Sequence, residues 1–325
     1  PKIYLKRDDC TGLGTGGNKA RKLEFVMADA LQQQADTVIT LGAVQSNHAR
    51  QTAAAAAKLG LGCTLLSQHR VPISDNDYLR SGNVYLDELF GATIRDLPAD
   101  ADMELELKKA AEELERLGKT PYVIPVGGST PLGSLGYVDC ASELLSQASS
   151  AAIAISHVVL ATGSGGTQAG ILAGLRASGN QIPVVGIAVG AKQEEQEQKV
   201  WPIAEATAEL LQAPNCVGRS DVVVDSGYIG KSYGLPTEAM REAVLLAARL
   251  EGVLFDPVYS GKALAGLIDY IRKGRFDRDS AVVFLHTGGS AGLFAYRERL
   301  GCRDDQTGVL PTNASSSVAP ATGGA

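Results

Sequence analysis

A lysine at the end of a glycine-rich segment is the first candidate for chemistry. Residues 11–19 read TGLGTGGNK and lead into a helical pattern. Glycines let a backbone approach a ligand closely and adopt positive φ angles. The segment is not a nucleotide P-loop, because counting from Gly12 the lysine position holds Asn18, and no serine or threonine follows Lys19. Lys19 is therefore either a solvated lysine in a flexible loop or an amine nucleophile with a lowered pKa.

The second candidate lies where a predicted strand meets an alanine-rich helix. Residues 40–48 read TLGAVQSNH. Ser46 or Asn47 is a good helix N-cap, and capping alone would explain both residues. The alternative is a helix N-terminus that holds an anionic group, beside side chains able to move protons.

The third candidate is another strand-to-helix turn, residues 161–167, which read ATGSGGT. Backbone N–H groups and hydroxyls at the positive end of a helix form a phosphate-binding loop. Gln168 stands where the dinucleotide fingerprint needs glycine, and no acidic residue ends the next strand near Val189. A monophosphate fits better than a dinucleotide, and an ordinary tight turn is the alternative.

Further polar groups follow later strands. They include Tyr228, Tyr233, the segment DPVYSGK at 256–262 and the segment HTGGS at 286–290. Taken alone, a tyrosine such as Tyr259 predicts a packed aromatic, and the histidine at 286 predicts a hydrogen-bonded structural residue. The four histidines have no metal-motif spacing, so we expect no metal site. A Gly-x-Ser-x-Gly nucleophile motif is absent from the sequence.

The elements that position these groups alternate between short β-branched runs and longer helical runs. Among the expected helices are Asn47–Leu59, Ser81–Phe90 and Ala291–Leu300. Such alternation predicts an α/β protein with parallel sheets covered by helices on both faces. The number of units exceeds what one open sheet usually holds, so we expect two α/β domains. Ligands bind at the carboxyl ends of parallel strands, where the candidate segments lie.

Composition narrows the classes of function. Of 325 residues, 45% are hydrophobic and 20% are charged, as in a globular protein, and a net charge of −6 with scattered basic residues argues against nucleic acid as a partner. The longest apolar run, 151–161, is too short to span a membrane. Five scattered cysteines favour a reducing, cytoplasmic compartment. The chain starts at Pro1, which suggests an incomplete N-terminus, and residues 301–325 are expected to be a disordered tail.

In combination these segments resemble the D-cysteine desulfhydrase and 1-aminocyclopropane-1-carboxylate deaminase family of the tryptophan-synthase-β-like group. The resemblance extends from about Lys2 to Tyr296. Its motifs are GGNK and RKLE at 16–24, GAVQSNH at 42–48, PVGGS at 125–129, LEG at 250–252, DPVY at 256–259 and HTGG at 286–289. It implies a fold type II enzyme, with pyridoxal 5'-phosphate in the cleft between a large domain (1–21 and 130–300) and a small domain (22–129). It also implies a homodimer.

The resemblance implies roles for individual residues. Lys19 would bind the cofactor covalently and later move the α-proton. Asn47 would bond the phenolic oxygen of the cofactor. Ser46 would contact the substrate carboxylate or assist proton movement, with Gln45 close by.

Downstream residues complete the expected site. The residues expected around the phosphate are Gly163, Ser164, Gly165, Gly166 and Thr167. Tyr233 and Tyr259 would face the substrate, and Thr287, with Ser260 as the alternative, would meet the pyridine nitrogen.

Ser260 separates the branches of this family. The deaminases resemble one another in placing a glutamate after the tyrosine that corresponds to Tyr259, where this chain has Ser260. A hydroxyl partner, unlike a carboxylate, does not keep the ring protonated, and this favours direct expulsion of a β-substituent. We therefore expect a lyase of sulfur metabolism that converts D-cysteine into pyruvate, sulfide and ammonia. The alternatives are a cysteate sulfo-lyase, the cyclopropane deaminase and, outside enzymes, a phosphate-ligand binding protein.

Overall fold

Two parallel β-sheets with helices on both faces form the protein, which we describe from a computed structural model covering residues 1–301. The first sheet has the strand order β1-β9-β6-β7-β8, and the second has the order β4-β3-β2-β5. The strands are β1 (Lys2–Arg7), β2 (Thr37–Ala43), β3 (Gly62–Gln68), β4 (Thr93–Leu97), β5 (Pro121–Ile124), β6 (Ile155–Thr162), β7 (Val184–Ala188), β8 (Val223–Asp225) and β9 (Ala281–His286). All the strand pairs are parallel, which confirms the predicted fold class.

Most of the helices connect these strands, as the alternation predicts, and the last two follow β9. They are α1 (Lys19–Gln32), α2 (Asn47–Leu59), α3 (Asn76–Arg80), α4 (Asn83–Leu89), α5 (Met103–Arg116), α6 (Pro131–Ser150), α7 (Gly166–Ala177), α8 (Gln193–Leu210), α9 (Glu238–Glu251), α10 (Ser260–Arg272), α11 (Gly292–Ala295) and α12 (Arg297–Leu300). Within residues 1–301, none of them is both long enough and apolar enough to cross a membrane.

The five-stranded sheet is buried on both faces, which explains its unbroken apolar strands. Successive side chains of a strand point to opposite faces. In β6, Val158 and Leu160 pack in the core formed with α6, α7 and α8. Val159 and Ala161 pack in the opposite core, formed with α9 and α10.

The four-stranded sheet is built in the same way. Val38 of β2 packs with α1 and α2, whereas its neighbour Ile39 packs with α5. Alanines of α2 such as Ala53 and Ala56 are fully buried, and their small side chains let that helix lie close to the sheet. This packing fixes the N-terminus of α2 at the carboxyl end of β2.

Two predicted helices have different bounds in the structure. The expected helix Ser81–Phe90 begins later, as α4, because Gly82 has φ +61° and separates it from α3. The expected helix Ala291–Leu300 is divided into α11 and α12 at Tyr296, whose φ and ψ of −112° and 14° are not helical.

The domain boundaries stay a prediction. The strands of the four-stranded sheet lie between residues 37 and 124, and those of the five-stranded sheet lie outside that range, which supports boundaries near 22 and 129. The expected tail, apart from Gly301, lies outside the described residues.

Close packing of α6 against α1 gives a stability prediction. A Cβ added at Gly136 would lie 2.1 Å from the backbone oxygen of Arg21, so Gly136→Ala must displace one helix. We expect the free energy of unfolding to fall by about 1–3 kcal/mol, as for other overpacked sites, measured by urea denaturation. Gly292→Ala is the matched control, because a Cβ there meets nothing within 4 Å. Equal stabilities of the two variants would contradict the prediction.

Candidate active site

A cavity of about 660 Å³ lies where the carboxyl ends of both sheets meet. Residues at the ends of β2 and β6 line it, such as Leu41 and Thr162. The structure brings together most of the site residues expected from the sequence, namely Lys19, Ser46, Asn47, Gly163, Ser164, Gly165, Thr167, Tyr233, Tyr259 and Thr287. Gln45 and Gly166 do not line the cavity.

Lys19 is the first residue of α1 and projects its amine into the cavity. Its Nζ donates to Asn18 Oδ1 at 3.3 Å, and Asn18 Nδ2 donates to Thr167 Oγ1 at 2.9 Å. Burial, together with the positive charge of Arg50, lowers the pKa of Lys19 to about 8. A lysine with this pKa has a sizeable neutral fraction near neutral pH, which a nucleophilic amine or a proton acceptor requires.

The glycine-rich turn after β6 forms one wall of the cavity. Gly165 has φ +90° and is the N-cap residue of α7, to which it offers no side-chain acceptor. Ser164 accepts a hydrogen bond from Ser129 Oγ at 2.7 Å, and the N–H of Gly166 donates to the same Ser129 oxygen at 3.2 Å. A helix N-terminus beside hydroxyl groups is suited to binding a phosphate.

Lys22, which the sequence analysis did not single out, lies beneath this turn. It is fully buried, and its Nζ donates to Ser129 Oγ at 2.9 Å and to the carbonyl of Gly127 at 3.3 Å. A Cβ on Gly166 would come within 2.9 Å of the same amine. Burial and the nearby Lys19 lower the pKa of Lys22 well below its usual value. A lowered pKa means that burial disfavours the charged form of the Lys22 amine. An anionic group at the turn would stabilise that charged form, so the residues present fit the phosphate of the expected cofactor.

The signal for Lys22 was present in the sequence. Lys22 follows Lys19 by three residues, and residues three apart lie on the same side of a helix. Two lysines on one helical face predict a shared anionic neighbour, because like charges so close are otherwise unfavourable.

The N-terminus of α2 contributes a second wall. Ser46 caps the helix by accepting the N–H of Ala49 at 3.1 Å. Asn47 Oδ1 accepts a hydrogen bond from Asn83 Nδ2 at 3.0 Å, which fixes the orientation of its amide. The segment therefore caps α2 and also lines the cavity.

Gln45 has a different position from the one expected. Its amide nitrogen donates to the carbonyls of Tyr78 at 2.6 Å and Ser81 at 2.9 Å, and its amide oxygen accepts the N–H of Asn83 at 2.9 Å. The side chain is buried among these partners. Through Asn83 it supports Asn47, and it has no free group to direct at a ligand.

Tyr233 and Tyr259 both line the cavity and contact each other. Their hydroxyls are 2.5 Å apart, and their rings meet edge to face with centroids 5.9 Å apart. Burial raises the pKa of Tyr233, and burial together with Tyr233 raises that of Tyr259 further. Both phenols are therefore protonated at neutral pH, and one hydroxyl hydrogen is available to a third group.

Asp256 positions Tyr259, a role that the sequence analysis did not assign. Its carboxylate accepts the backbone N–H groups of Val258 (2.9 Å), Tyr259 (2.9 Å) and Ser260 (2.7 Å), and the hydroxyl of Ser260 (2.6 Å). An aspartate before proline is a signal for such a side-chain-closed turn.

The two hydroxyls considered for the pyridine nitrogen differ in their availability. Ser260 is fully buried, and its Oγ contacts Asp256 and the carbonyl of Gly288 (3.2 Å). Thr287 lines the cavity, and its carbonyl accepts the N–H of Asn18 at 3.0 Å. Of the two residues, only Thr287 lines the cavity.

Comparisons with known proteins agree with this geometry. The family described as pyridoxal-phosphate dependent enzyme matches residues 1–288. D-cysteine desulfhydrase of Yersinia enterocolitica is 46% identical over 299 residues, which cover 92% of this chain and 90% of that protein. The Salmonella typhi protein of the same name is also 46% identical, over 91% of this chain and 89% of its own length.

Solved structures show the same fold. A homologue of ACC deaminase superimposes with a TM-score of 0.81 at 41% identity, covering 92% of this chain and 87% of that one. O-ureido-L-serine synthase, at 18% identity, has a TM-score of 0.64 over 94% and 90% of the two chains, and this likeness concerns the fold alone. The fold is thus the tryptophan-synthase-β-like fold type II expected above. With a family match over residues 1–288 and relatives 46% identical, this chain belongs to the pyridoxal-phosphate dependent enzymes.

Proposed function

We propose that this chain is a D-cysteine desulfhydrase, which converts D-cysteine and water into pyruvate, hydrogen sulfide and ammonia. The observation that carries the proposal is the amine of Lys19, with its pKa lowered to about 8, in a cavity that also contains the glycine-rich turn before α7 and a pair of tyrosines. The 46% identity to proteins named D-cysteine desulfhydrase supports this choice of substrate.

The cofactor would be held by groups on three elements. Lys19 would bind it covalently, and the residues proposed around its phosphate are those from Gly163 to Thr167, with Lys22 beneath them. Asn47, oriented by Asn83, would bond the phenolic oxygen. Bound in this way, pyridoxal phosphate makes the α-carbon of an attached amino acid acidic.

The chain's own residues would then move the protons. Released from the cofactor, Lys19 would accept the α-proton at Nζ. Ser46 would bind the substrate carboxylate at the α2 N-terminus, where the helix dipole favours an anion. The hydroxyl hydrogen of Tyr233 or Tyr259 would protonate the departing sulfur, because these phenols face the cavity and keep their protons at neutral pH.

Thr287 is the proposed partner of the pyridine nitrogen. Thr287 lines the cavity, whereas the Ser260 hydroxyl donates to Asp256. A neutral hydroxyl beside the pyridine nitrogen supports β-elimination. We assign ring-opening deamination to enzymes that have a carboxylate at that position.

A panel of amino acids tests the proposal. The purified holoenzyme is incubated with D-cysteine, L-cysteine, cysteate and 1-aminocyclopropane-1-carboxylate, and pyruvate, sulfide, sulfite and 2-oxobutyrate are measured. We expect pyruvate and sulfide in equal amounts from D-cysteine. Formation of 2-oxobutyrate alone would contradict the proposal and the argument from Ser260.

The assembly and the compartment stay predictions. The family resemblance supports a homodimer, and the scattered cysteines of the sequence support the cytoplasm. Analytical ultracentrifugation of the holoenzyme would test whether the protein is a homodimer.

A further inference from the structure

The turn that carries Lys19 has an unusual backbone. Thr15, Gly16 and Gly17 all have positive φ, at +71°, +76° and +132°. Glycine tolerates such angles, but a β-branched residue such as Thr15 adopts them only where its surroundings impose the conformation. Asn18 alone separates this turn from Lys19. The position of the Lys19 amine therefore depends on the groups that hold the turn.

Arg50, on the first turns of α2, holds it from one side. Its Nη1 donates to Thr15 Oγ1 at 2.7 Å, and its Nη2 donates to the carbonyl of Gly16 at 2.8 Å. The Arg50 side chain is fully buried. Two bonds from one rigid, planar guanidinium fix both a side chain and the backbone of the turn.

The next residue of α2 holds the other side of Lys19. Gln51 Oε1 accepts the N–H of Ala20 at 3.0 Å, and Gln51 Nε2 donates to the carbonyl of Asn47 at 2.9 Å. Asn47 is the residue proposed to bond the phenolic oxygen of the cofactor. Through Arg50 and Gln51, α2 therefore sets the position of the Lys19 amine relative to Asn47.

Arg50 also brings a positive charge that the protein compensates only in part. Burial lowers the pKa of Arg50 to about 10, so the guanidinium stays charged at neutral pH. Within residues 1–301, no carboxylate oxygen lies within 4.0 Å of it. Asp87 of α4 is the carboxyl that acts most strongly on Arg50, but burial raises the pKa of Asp87 to about 8. The charge of Arg50 therefore acts on Lys19, whose pKa burial lowers and Arg50 lowers further.

Other titratable groups lie near the Lys19 amine. Burial and neighbouring lysine charge lower the pKa values of Lys22, on α1, and of His48, on α2. Asp256, in the turn before α10, raises the pKa of Lys19. Among the groups that act on Lys19, Arg50 is the cation with the largest effect. The further charged or titratable residues that line the cavity are Arg70, Glu104, Glu195, Lys199, Tyr233 and Tyr259.

We propose that Arg50 is a positioning residue for the elimination: its two bonds to the turn at 15–17 set where the Lys19 amine lies, and its positive charge repels a proton on that amine. Arg50 does not line the cavity, so it acts through Lys19 and touches no ligand. This inference rests on the proposed function, because only a neutral Lys19 amine can bind the cofactor and accept the α-proton.

Competitive labelling of the full chain without cofactor measures the pKa of Lys19 directly. Trace acetic anhydride acetylates neutral amines, so acetylation of the Lys19 peptide over a pH series gives this pKa, with the peptide of the exposed Lys58 as internal reference. Arg50→Gln should raise the pKa of Lys19 by about half a pH unit or more, because loss of a nearby positive charge makes protonation easier. Arg50→Lys keeps a charge, so its shift should be less than about half as large.

The pH profile of the holoenzyme supplies a second readout. The substrate is β-chloro-D-alanine, because its chloride, unlike a thiol, does not titrate. In Arg50→Gln the acid limb of kcat should move to higher pH, since Lys19 must be neutral to accept the α-proton. The loss in kcat should therefore be larger at about pH 7 than at about pH 9, while KM changes by less than about twofold.

Arg176→Gln is the matched control. Arg176 is also buried on a helix and donates to the carbonyls of Asn180 and Ile182, but it does not line the cavity. This variant should lose stability without a change in the pKa of Lys19. Urea denaturation shows whether each variant is folded. If Arg50→Gln is not folded, Arg50→Met, which buries no unpaired amide, has the same expected result.

The inference is overturned by an unchanged pKa of Lys19 in Arg50→Gln, or by a shift of equal size in Arg50→Lys or Arg176→Gln. If wild type forms pyruvate and sulfide from D-cysteine and the shift is absent, this inference fails while the proposed function stands. If the shift occurs as expected and wild type forms pyruvate from no amino acid tested, the proposed function fails. The action of Arg50 on the Lys19 amine then stands alone.

Discussion

Lys19→Ala should lower turnover of D-cysteine by roughly 1000-fold or more, because one substitution removes both the covalent anchor of the cofactor and the acceptor of the α-proton. The amine lies in the cavity with its pKa lowered to about 8. Kinetics of pyruvate formation measure the loss. Borohydride reduction followed by peptide mass spectrometry should locate the pyridoxyl adduct on Lys19 in wild type and on no peptide of the variant.

The control for this prediction is Lys58→Ala, which changes an exposed lysine in the last turn of α2. It should leave both turnover and the adduct unchanged. An adduct on another lysine of the wild-type protein, or a variant that keeps the visible absorption of the bound cofactor, would remove the basis of the proposed chemistry.

Asp256→Ala should produce the second large effect, a fall of about 3 kcal/mol or more in the free energy of unfolding. The fully buried carboxylate accepts three backbone N–H groups and the Ser260 hydroxyl, and alanine would leave these donors without their acceptor. Removal of the buried negative charge is itself stabilising and offsets part of the loss in the free energy of unfolding. It does not offset the loss caused by several unsatisfied donors. Urea denaturation of the apoprotein measures the change.

The same substitution should also reduce turnover, because the turn closed by Asp256 holds Tyr259 against Tyr233. Asp279→Ala, at an exposed position of the loop before β9, is the control and should have little effect. A stability of Asp256→Ala equal to that of wild type would mean that water or backbone rearrangement satisfies the donors. The positioning role given to Asp256 would then be wrong.

Local signals in the sequence were sufficient to predict the strands, the helices and the glycine-rich turns that line the cavity. Alternating strands and helices predict two parallel sheets, since each run buries its own apolar face whatever its distant partners are. Glycine-rich turns between strand and helix predict ligand-binding loops for the same local reason. The family resemblance then added the cofactor and the roles of residues such as Lys19 and Tyr259.

Errors arose where a side chain could turn in more than one direction. Gln45 lies next to Ser46 in a segment that lines the cavity, yet its amide is directed at Tyr78 and Ser81. Lys22 was overlooked although its spacing from Lys19 was a signal, because the partners of its amine come from the segment at 127–129, more than a hundred residues away in the chain.

The amino-acid sequence by itself determined the parallel sheets, the turn that precedes Lys19 and the glycine-rich loop at 163–167, because periodicity and turn chemistry act over a few residues. Only the tertiary structure decided that Asn18 bonds Thr167, 149 residues away, and that Tyr233 and Tyr259 share a hydrogen bond. The physical reason is that burial, pKa and side-chain direction depend on which distant segments pack together. Local sequence patterns do not determine that packing.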